Sequence, residues 1–210
     1  AEFEDLCTDQ DDFIQLLMGS TEKMICNDGS CSNQEAFMRD FTEKMGISDQ
    51  AEAEKIKARF EKFYQTKFTG LDQHFEIDRK TPAEIIEHLK KEGKRLVLAT
   101  NPLFPKEAVA ARLSWAGIKA EDFELLTHYE NMSYAKPNPN YYQEILEKIE
   151  AAPEDCLMIG NDLREDAAAS KVGIDTFIIE DQLIEREESD FEADWQGSLK
   201  DFKKLIEEQL

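Results

Sequence analysis

Short apolar runs that alternate with helix-length segments constrain this chain more than any other feature. The runs are residues 95–99, 123–126, 157–159 and 176–179. Runs this short and mostly apolar read as strands buried on both faces. Between them lie the signals of helices. Thr81-Pro-Ala-Glu84 joins a capping box to a proline in the first turn, and that helix ends near Gly93. Further helices are expected over residues 105–116, 139–150 and 167–172, and from about Ser198 onward. Strand and helix in alternation imply a parallel sheet covered by helices, an α/β fold.

The part of the chain before residue 81 is built differently. All six prolines lie at or after Pro82, whereas eight of the thirteen phenylalanines lie before it, so two units are expected. Ser32-Asn-Gln-Glu35 is a capping box that opens a helix carrying Phe37, Met38, Phe41 and Met45, and Gly46 stops it. Ser48 and Asp49 are caps for a helix with Ile56, Phe60 and Phe63 on one face. An earlier helix covers Phe13, Ile14, Leu16 and Leu17, after the acidic start at residues 9–12. Residues 180–194 hold eight carboxylates against one arginine and read as a solvated loop.

A net charge of −21 argues against nucleic acid as a partner, because its phosphates need Lys and Arg. It argues equally against an anionic membrane surface, and no apolar run approaches the ~20 residues that cross a bilayer. A local cationic site for a phosphorylated small molecule is compatible with it. The four cysteines, Cys7, Cys26, Cys31 and Cys156, lack a second Cys or His pair at zinc spacing and read as free thiols of a cytoplasmic protein. Of the three histidines, His74, His88 and His128, none has a recognisable partner.

Three strand ends carry chemistry. Leu96-Val-Leu-Ala-Thr100-Asn101 ends in a hydroxyl and an amide. Ala135-Lys136-Pro137-Asn138-Pro139 places an ammonium in a loop before a helix. Cys156-Leu-Met-Ile-Gly160-Asn161-Asp162 ends in a carboxylate, with Asp166 following. Ligands of open parallel sheets bind at the carboxyl ends of the strands, so these groups are expected to converge on one rim. Singly, each piece is also a cap or a turn. In this order, each after an expected strand, they resemble three of the four motifs of the haloacid dehalogenase-like hydrolases, which are mostly phosphatases.

The resemblance implies a Rossmann-like core over residues 81–210 and a helical cap over residues 1–80. It implies that Thr100 hydrogen-bonds the transferring phosphoryl group, that Asn101 helps to orient it, and that Lys136 offsets its charge. Mg²⁺ is the implied cofactor and a small phosphorylated metabolite the implied partner. The metal ligands depend on how the last motif is anchored. The family pattern places a carboxylate directly after the glycine, where this chain has Asn161. Counting from Gly160 selects Asn161 and Glu165; the spacing of two aspartates four apart selects Asp162, with Asp166 as ligand or support, and is preferred because both side chains face one way.

The fourth motif, a strand ending in Asp-x-Asp-Gly-Thr with the nucleophilic aspartate, is absent from these 210 residues. Asp9-Gln-Asp11 follows no apolar strand and reads as a helix cap. The chain alone is therefore expected to be inactive, and an N-terminal segment of the same protein carrying the nucleophile is an expected partner. The nucleophile's strand would lie between those ending at Thr100 and Asp162. Its neighbours would be too far apart to bond each other at a strand spacing of ~4.8 Å, so the chain by itself is not expected to be a stable native monomer. A phosphate-binding protein that has lost its nucleophile is the alternative from another class. A haloacid dehalogenase, which needs no Mg²⁺, is a weaker one.

Overall fold

The computed structural model describes residues Phe3, Leu6, 9–74, 79–184 and 192–209. By its contacts the chain divides into two compact units, Ala1–Ala83 with Leu98–Ala135, and Glu84–Val97 with Lys136–Leu210. This differs from a single boundary at residue 80, because residues 98–135 pack with the helical part of the chain.

The first unit is built on α1 (Gln10–Ile25), α2 (Asn33–Lys44) and α3 (Gln50–Thr66), followed by a 3₁₀ stretch over Phe68–His74. Each helix starts where a polar side chain receives its first N–H groups. Asp9 accepts from Asp11 N–H at 2.8 Å, and Asp49 from Glu52 N–H at 2.9 Å. Ser32 and Glu35 cap α2 reciprocally, with Ser32 N–H donating to Glu35 Oε2 at 2.8 Å and Glu35 N–H to Ser32 Oγ at 3.2 Å. Bonds from Ser32 hold the Glu35 carboxyl below its ordinary pKa. Replacing Ser32 by alanine should cost about 1 kcal/mol. A urea midpoint that does not move would contradict that role.

Phenylalanines from all three helices form the core of this unit. Phe41 and Phe60 meet edge to face with centroids 5.3 Å apart, and Phe3 tilts against Phe60 at 4.9 Å. Met24, Phe37, Ile56 and Tyr129 complete the buried cluster. Helix α5 (Lys106–Trp115) and strand β2 (Leu125–Leu126) belong to the same unit. Trp115 Nε1 donates to Thr69 O at 3.1 Å, which ties α5 to the 3₁₀ stretch.

The second unit is the α/β layer. Strands β3 (Leu157–Gly160), β4 (Asp175–Ile179) and β5 (Trp195–Gly197) form a parallel sheet in the order β3-β4-β5. Helices α4 (Thr81–Lys91) and α7 (Leu199–Gln209) cover one face. Ile85 and Leu89 from α4 meet Phe202 and Ile206 from α7 over Phe177 and Ile179 of β4. Helix α6 (Pro139–Ile149) begins at Asn138, whose side chain accepts Asn140 N–H at 3.0 Å. Residues 167–172 form 3₁₀ turns in place of the expected helix.

Strand β1 (Val97–Leu98) pairs with β2 in a separate two-stranded sheet. Four residues of β4, from Thr176 to Ile179, are buried as a two-sided strand should be. β3 departs from that expectation, with Ile159 37% exposed. Among the described residues β3 has a bonded strand neighbour on one side only.

Two features escaped the sequence. β5 lies just after the acidic segment, where Asp194 Oδ2 accepts from both Thr176 N–H and Thr176 Oγ1 at 2.8 Å. The remainder of that segment, residues 185–191, lies outside the described residues. The second is the 3₁₀ stretch over Phe68–His74.

Candidate active site

The end of β3 is where the sequence-predicted groups of the second unit come together. Gly160 has no side chain for a reason of space, because a Cβ there would lie 2.0 Å from Asp166 Oδ2. The chain then turns so that the backbone folds round one carboxylate. Asp166 Oδ2 accepts Asn161 N–H at 2.8 Å and Asp162 N–H at 3.0 Å. The other oxygen, Oδ1, accepts from Lys136 Nζ at 2.5 Å. Both partners are buried, Lys136 at 4% and Asp166 at 6% exposure.

Lys136 arrives from the loop before α6, and the first turn of that helix completes its surroundings. Its ammonium lies 5.7 Å from the ring centre of Tyr141 and 5.8 Å from that of Tyr142. Negative ring faces and an anionic carboxylate are what an ammonium needs when water is excluded. The Tyr142 hydroxyl donates to Glu165 O at 2.6 Å and so ties α6 to the Asp166 turn. Burial, then the nearby Asp166 charge, pushes the Tyr142 phenol well above its ordinary pKa, so it remains a donor.

Asp162 is also buried, at 3% exposure, and its carboxylate faces the turn that follows. Its Oδ1 accepts Arg164 N–H at 2.9 Å and Glu165 N–H at 3.0 Å. Asn161 turns away from Asp162, its Nδ2 donating to Gln182 O at 2.7 Å. Lys136, Asp162 and Asp166 therefore form one cluster, with Asn161 and Glu165 at its border.

Thr100 and Asn101 lie in the other unit, directly after β1. Their backbone is held from β2. Thr127 Oγ1 lies 2.7 Å from Thr100 O and 3.1 Å from Leu98 O, and its single proton serves the nearer carbonyl. Thr127 N–H donates to Leu98 O at 3.0 Å. The start of α2 grips the loops after both strands. Asn33 Nδ2 donates to Tyr134 O at 3.1 Å, Asn33 N–H to Met132 O at 2.8 Å, and Asn27 Nδ2 to Asn33 Oδ1 at 3.0 Å. Gly29, at a φ of +87°, lies under the Tyr134 ring. The Asn27–Ser30 turn is thus packed on the loop that leads to Lys136.

His128 does have a partner, contrary to the sequence expectation: its Nδ1 is 2.6 Å from Glu130 Oε2. That Glu130 oxygen also accepts Lys106 N–H, at 3.2 Å. Sequence reasoning missed Thr127, Asn33 and Tyr142 as well. Only Tyr142 carried a signal, a Tyr-Tyr pair in the first turn of a helix that begins three residues after Lys136.

As a home for Mg²⁺ these residues fit half a site. Mg²⁺ takes one or two carboxylates, keeps several waters and completes its shell with phosphate oxygens. Asp162 is a buried carboxylate in the right setting, while both Asp166 oxygens are engaged by Lys136 and backbone N–H groups. Among the described residues no three His, Cys, Asp or Glu side chains cluster as a full ligand set.

A family model for haloacid dehalogenase-like hydrolases matches residues 1–173. Among curated proteins, the chain resembles the pyrophosphatase PpaX of Bacillus cereus, at 23% identity over 128 residues, 61% of this chain and 56% of that one. The chain thus spans little more than half the length of this relative. Among solved structures, it resembles CbbY of Rhodobacter sphaeroides in complex with phosphate, with a TM-score of 0.51, 24% identity, and coverage of 70% of this chain and 62% of that one. It also resembles the L-2-haloacid dehalogenase of Xanthobacter autotrophicus, with a TM-score of 0.54, 12% identity, and coverage of 93% and 83%. These likenesses show the fold, an α/β Rossmann-like core with a helical cap, and the matched family names it: the chain belongs to the haloacid dehalogenase-like hydrolases.

Proposed function

We propose that the protein is the greater part of a cytoplasmic, Mg²⁺-dependent phosphatase that cleaves a small phosphorylated metabolite through an aspartyl-phosphate. The observation that carries this reading is the buried Lys136–Asp166 pair beside Asp162 at the end of β3. A phosphoryl group in transfer gathers negative charge on its oxygens, and a preorganised buried ammonium is worth most where water is excluded. The pyrophosphatase relative and the phosphate-bound structural neighbour support phosphate over halide as the group recognised.

Each side chain then has a role. Lys136 offsets charge on the phosphoryl group, and Asp166 is its positioning partner. Asp162 is the metal ligand supplied by this chain, in preference to Asn161 or Glu165. Thr100 donates its hydroxyl to a phosphoryl oxygen, with Asn101 orienting the group. Bound Mg²⁺ supplies positive charge that draws electron density from the phosphorus. The helices of residues 1–80 serve as the cap that excludes water and selects the substrate, and residues 81–210 as the core without its first strand.

The attacking carboxylate belongs to an Asp-x-Asp-Gly-Thr strand that these 210 residues do not contain. Its oxygen bonds to phosphorus as the P–O ester bond breaks and the leaving oxygen takes a proton from water; a water molecule then attacks phosphorus and loses a proton to solvent, and the aspartyl–phosphorus bond breaks to release phosphate and restore the carboxylate. The 210 residues alone should therefore hydrolyse p-nitrophenyl phosphate at no enzymatic rate, since charge-stabilising groups without an attacking carboxylate leave only residual catalysis. A longer protein in which an Asp-x-Asp-Gly-Thr strand is joined before these residues should release phosphate steadily, and only with Mg²⁺. Steady turnover by the shorter protein would refute the missing-nucleophile assignment. Metal-independent chloride release from 2-chloropropionate by the longer one would replace phosphatase with dehalogenase. Phosphate binding without turnover by the longer one would leave a binding protein.

A further inference from the structure

The segment that follows β4 closes back on the loop that carries Asp162. Its base is held twice. Glu180 N–H donates to Gly197 O of β5 at 2.9 Å, and Asp181 Oδ2 accepts Leu199 N–H at the start of α7 at 2.7 Å. Leu183 N–H then donates to Glu180 O at 3.2 Å, which turns the chain toward β3. At the far end it meets Asn161. Ile184 N–H donates to Asn161 O at 2.8 Å, Asn161 Nδ2 donates to Gln182 O at 2.7 Å, and Asp162 pairs with Ile184 as a parallel bridge.

Asn161 is therefore bonded on both sides. Its N–H points inward to Asp166 Oδ2, while its carbonyl and side-chain amide hold residues 182 and 184. The chemistry of this position is specific. Gln182 presents a carbonyl, which only accepts, so residue 161 must donate. A carboxylate of the same shape has no proton to give and would set two acceptors against one another at 2.7 Å.

We infer that Asn161 is a positioning residue whose amide straps residues 180–184 along the loop after β3, and that this strap, held by a donor that aspartate cannot replace, fixes the backbone presenting Asp162. The one position where the chain departs from the family's carboxylate is thus the position where a donor is needed. The strap itself stands on the hydrogen bonds; its consequence for Asp162 as a metal ligand rests on the phosphatase reading above.

Hydrogen exchange and Mg²⁺ titration of the longer protein, in which an Asp-x-Asp-Gly-Thr strand is joined before these residues, separate the two. In Asn161→Asp, the Leu183 and Ile184 amides should exchange about tenfold faster as one hydrogen bond is lost, with β4 unchanged and Mg²⁺ bound no more tightly than by the wild type. Asn161→Ala removes the donor without adding charge and should show the same exchange, which keeps the test valid if the aspartate variant fails to fold. Unchanged exchange at 183 and 184 would overturn the strap. So would equal loosening of β4, which would make Asn161 a general stability residue. Tighter Mg²⁺ binding by Asn161→Asp would make position 161 a ligand site and overturn the inference. If the wild type binds no Mg²⁺ yet the strap amides respond as expected, the strap stands and the metal-dependent phosphatase reading falls.

Discussion

Alanine at position 160 should cost the protein several kcal/mol, where a glycine-to-alanine change at a tolerant site gains about 0.4–1 kcal/mol by restricting the unfolded chain. The sign reverses because of one contact. The added Cβ would stand 2.0 Å from Asp166 Oδ2 and 2.2 Å from its Cγ, closer than atoms approach without displacement. Asp166 has nowhere to move, since its carboxylate is bonded to Lys136 Nζ and to two backbone N–H groups. Pushing it aside takes the carboxylate from a lysine that is 4% exposed. Breaking a buried ion pair costs about 3–5 kcal/mol, a large part of the ~5–15 kcal/mol that holds a domain together. Urea unfolding should show a much lower midpoint for Gly160→Ala. Gly70 is the control: a Cβ there meets nothing within 4 Å, so Gly70→Ala should raise the midpoint slightly. A Gly160→Ala protein as stable as the wild type would mean that the Asp166 carboxylate is not fixed as described.

Much of the fold was legible in the residues because local signals and tertiary demands agree. Ser32, Asp49 and Asn138 each receive the N–H groups that their positions before apolar periodic segments imply. Strand β4 ends in the apolar Phe177-Ile-Ile179, and these residues are buried as such. Where the sequence was silent, the structure is set by distant partners. Strand β5 contains an exposed Trp195 and a buried Gly197 and has no apolar run of its own. It exists because β4 offers a bonding edge and Asp194 finds Thr176. The 3₁₀ turns over residues 167–172 begin with three buried alanines, whose composition suits an α-helix equally well. The division into units could not be read either, because it depends on bonds such as Asn33 to Tyr134 that span 101 residues.

The site was legible as a set of residue types and illegible as a wiring diagram. Motif spacing singled out Lys136, Asp162 and Asp166 with Asn161 at their border, but two aspartates four apart look alike in a sequence. Their difference comes from direction. Asp166 turns both oxygens inward to Lys136 and to the backbone after Gly160, while Asp162 caps the turn between them. Asn161 reads as an anomaly beside Gly160 until Gln182, 21 residues on, supplies the carbonyl that explains it.

The two halves of the central ion pair should not be equivalent. In Asp166→Ala the lysine loses its carboxylate, and the N–H groups of Asn161 and Asp162 lose a common acceptor. Ring faces at 5.7 and 5.8 Å recover about 0.5–2 kcal/mol of the ammonium's desolvation at most. The net loss should be about 3–5 kcal/mol. In Lys136→Met the carboxylate keeps both backbone donors, and an unbranched apolar side chain replaces the ammonium between two tyrosines. That loss should be smaller, about 1–2 kcal/mol, since hydrophobic replacements of buried charges are often well tolerated. Activity should rank the other way from stability for the lysine: in a protein that also carries the attacking aspartate, Lys136→Met should fold yet lose about 100-fold or more in turnover, the scale seen when one preorganised charge-stabilising donor is removed. The double variant should be more stable than Asp166→Ala alone, because no buried ammonium is then left without its carboxylate. Urea denaturation of the four proteins closes the cycle. No recovery in the double would place the stabilising role of Asp166 in its backbone bonds and leave Lys136 a bystander to the fold, and equal losses for the two single variants would overturn the asymmetry.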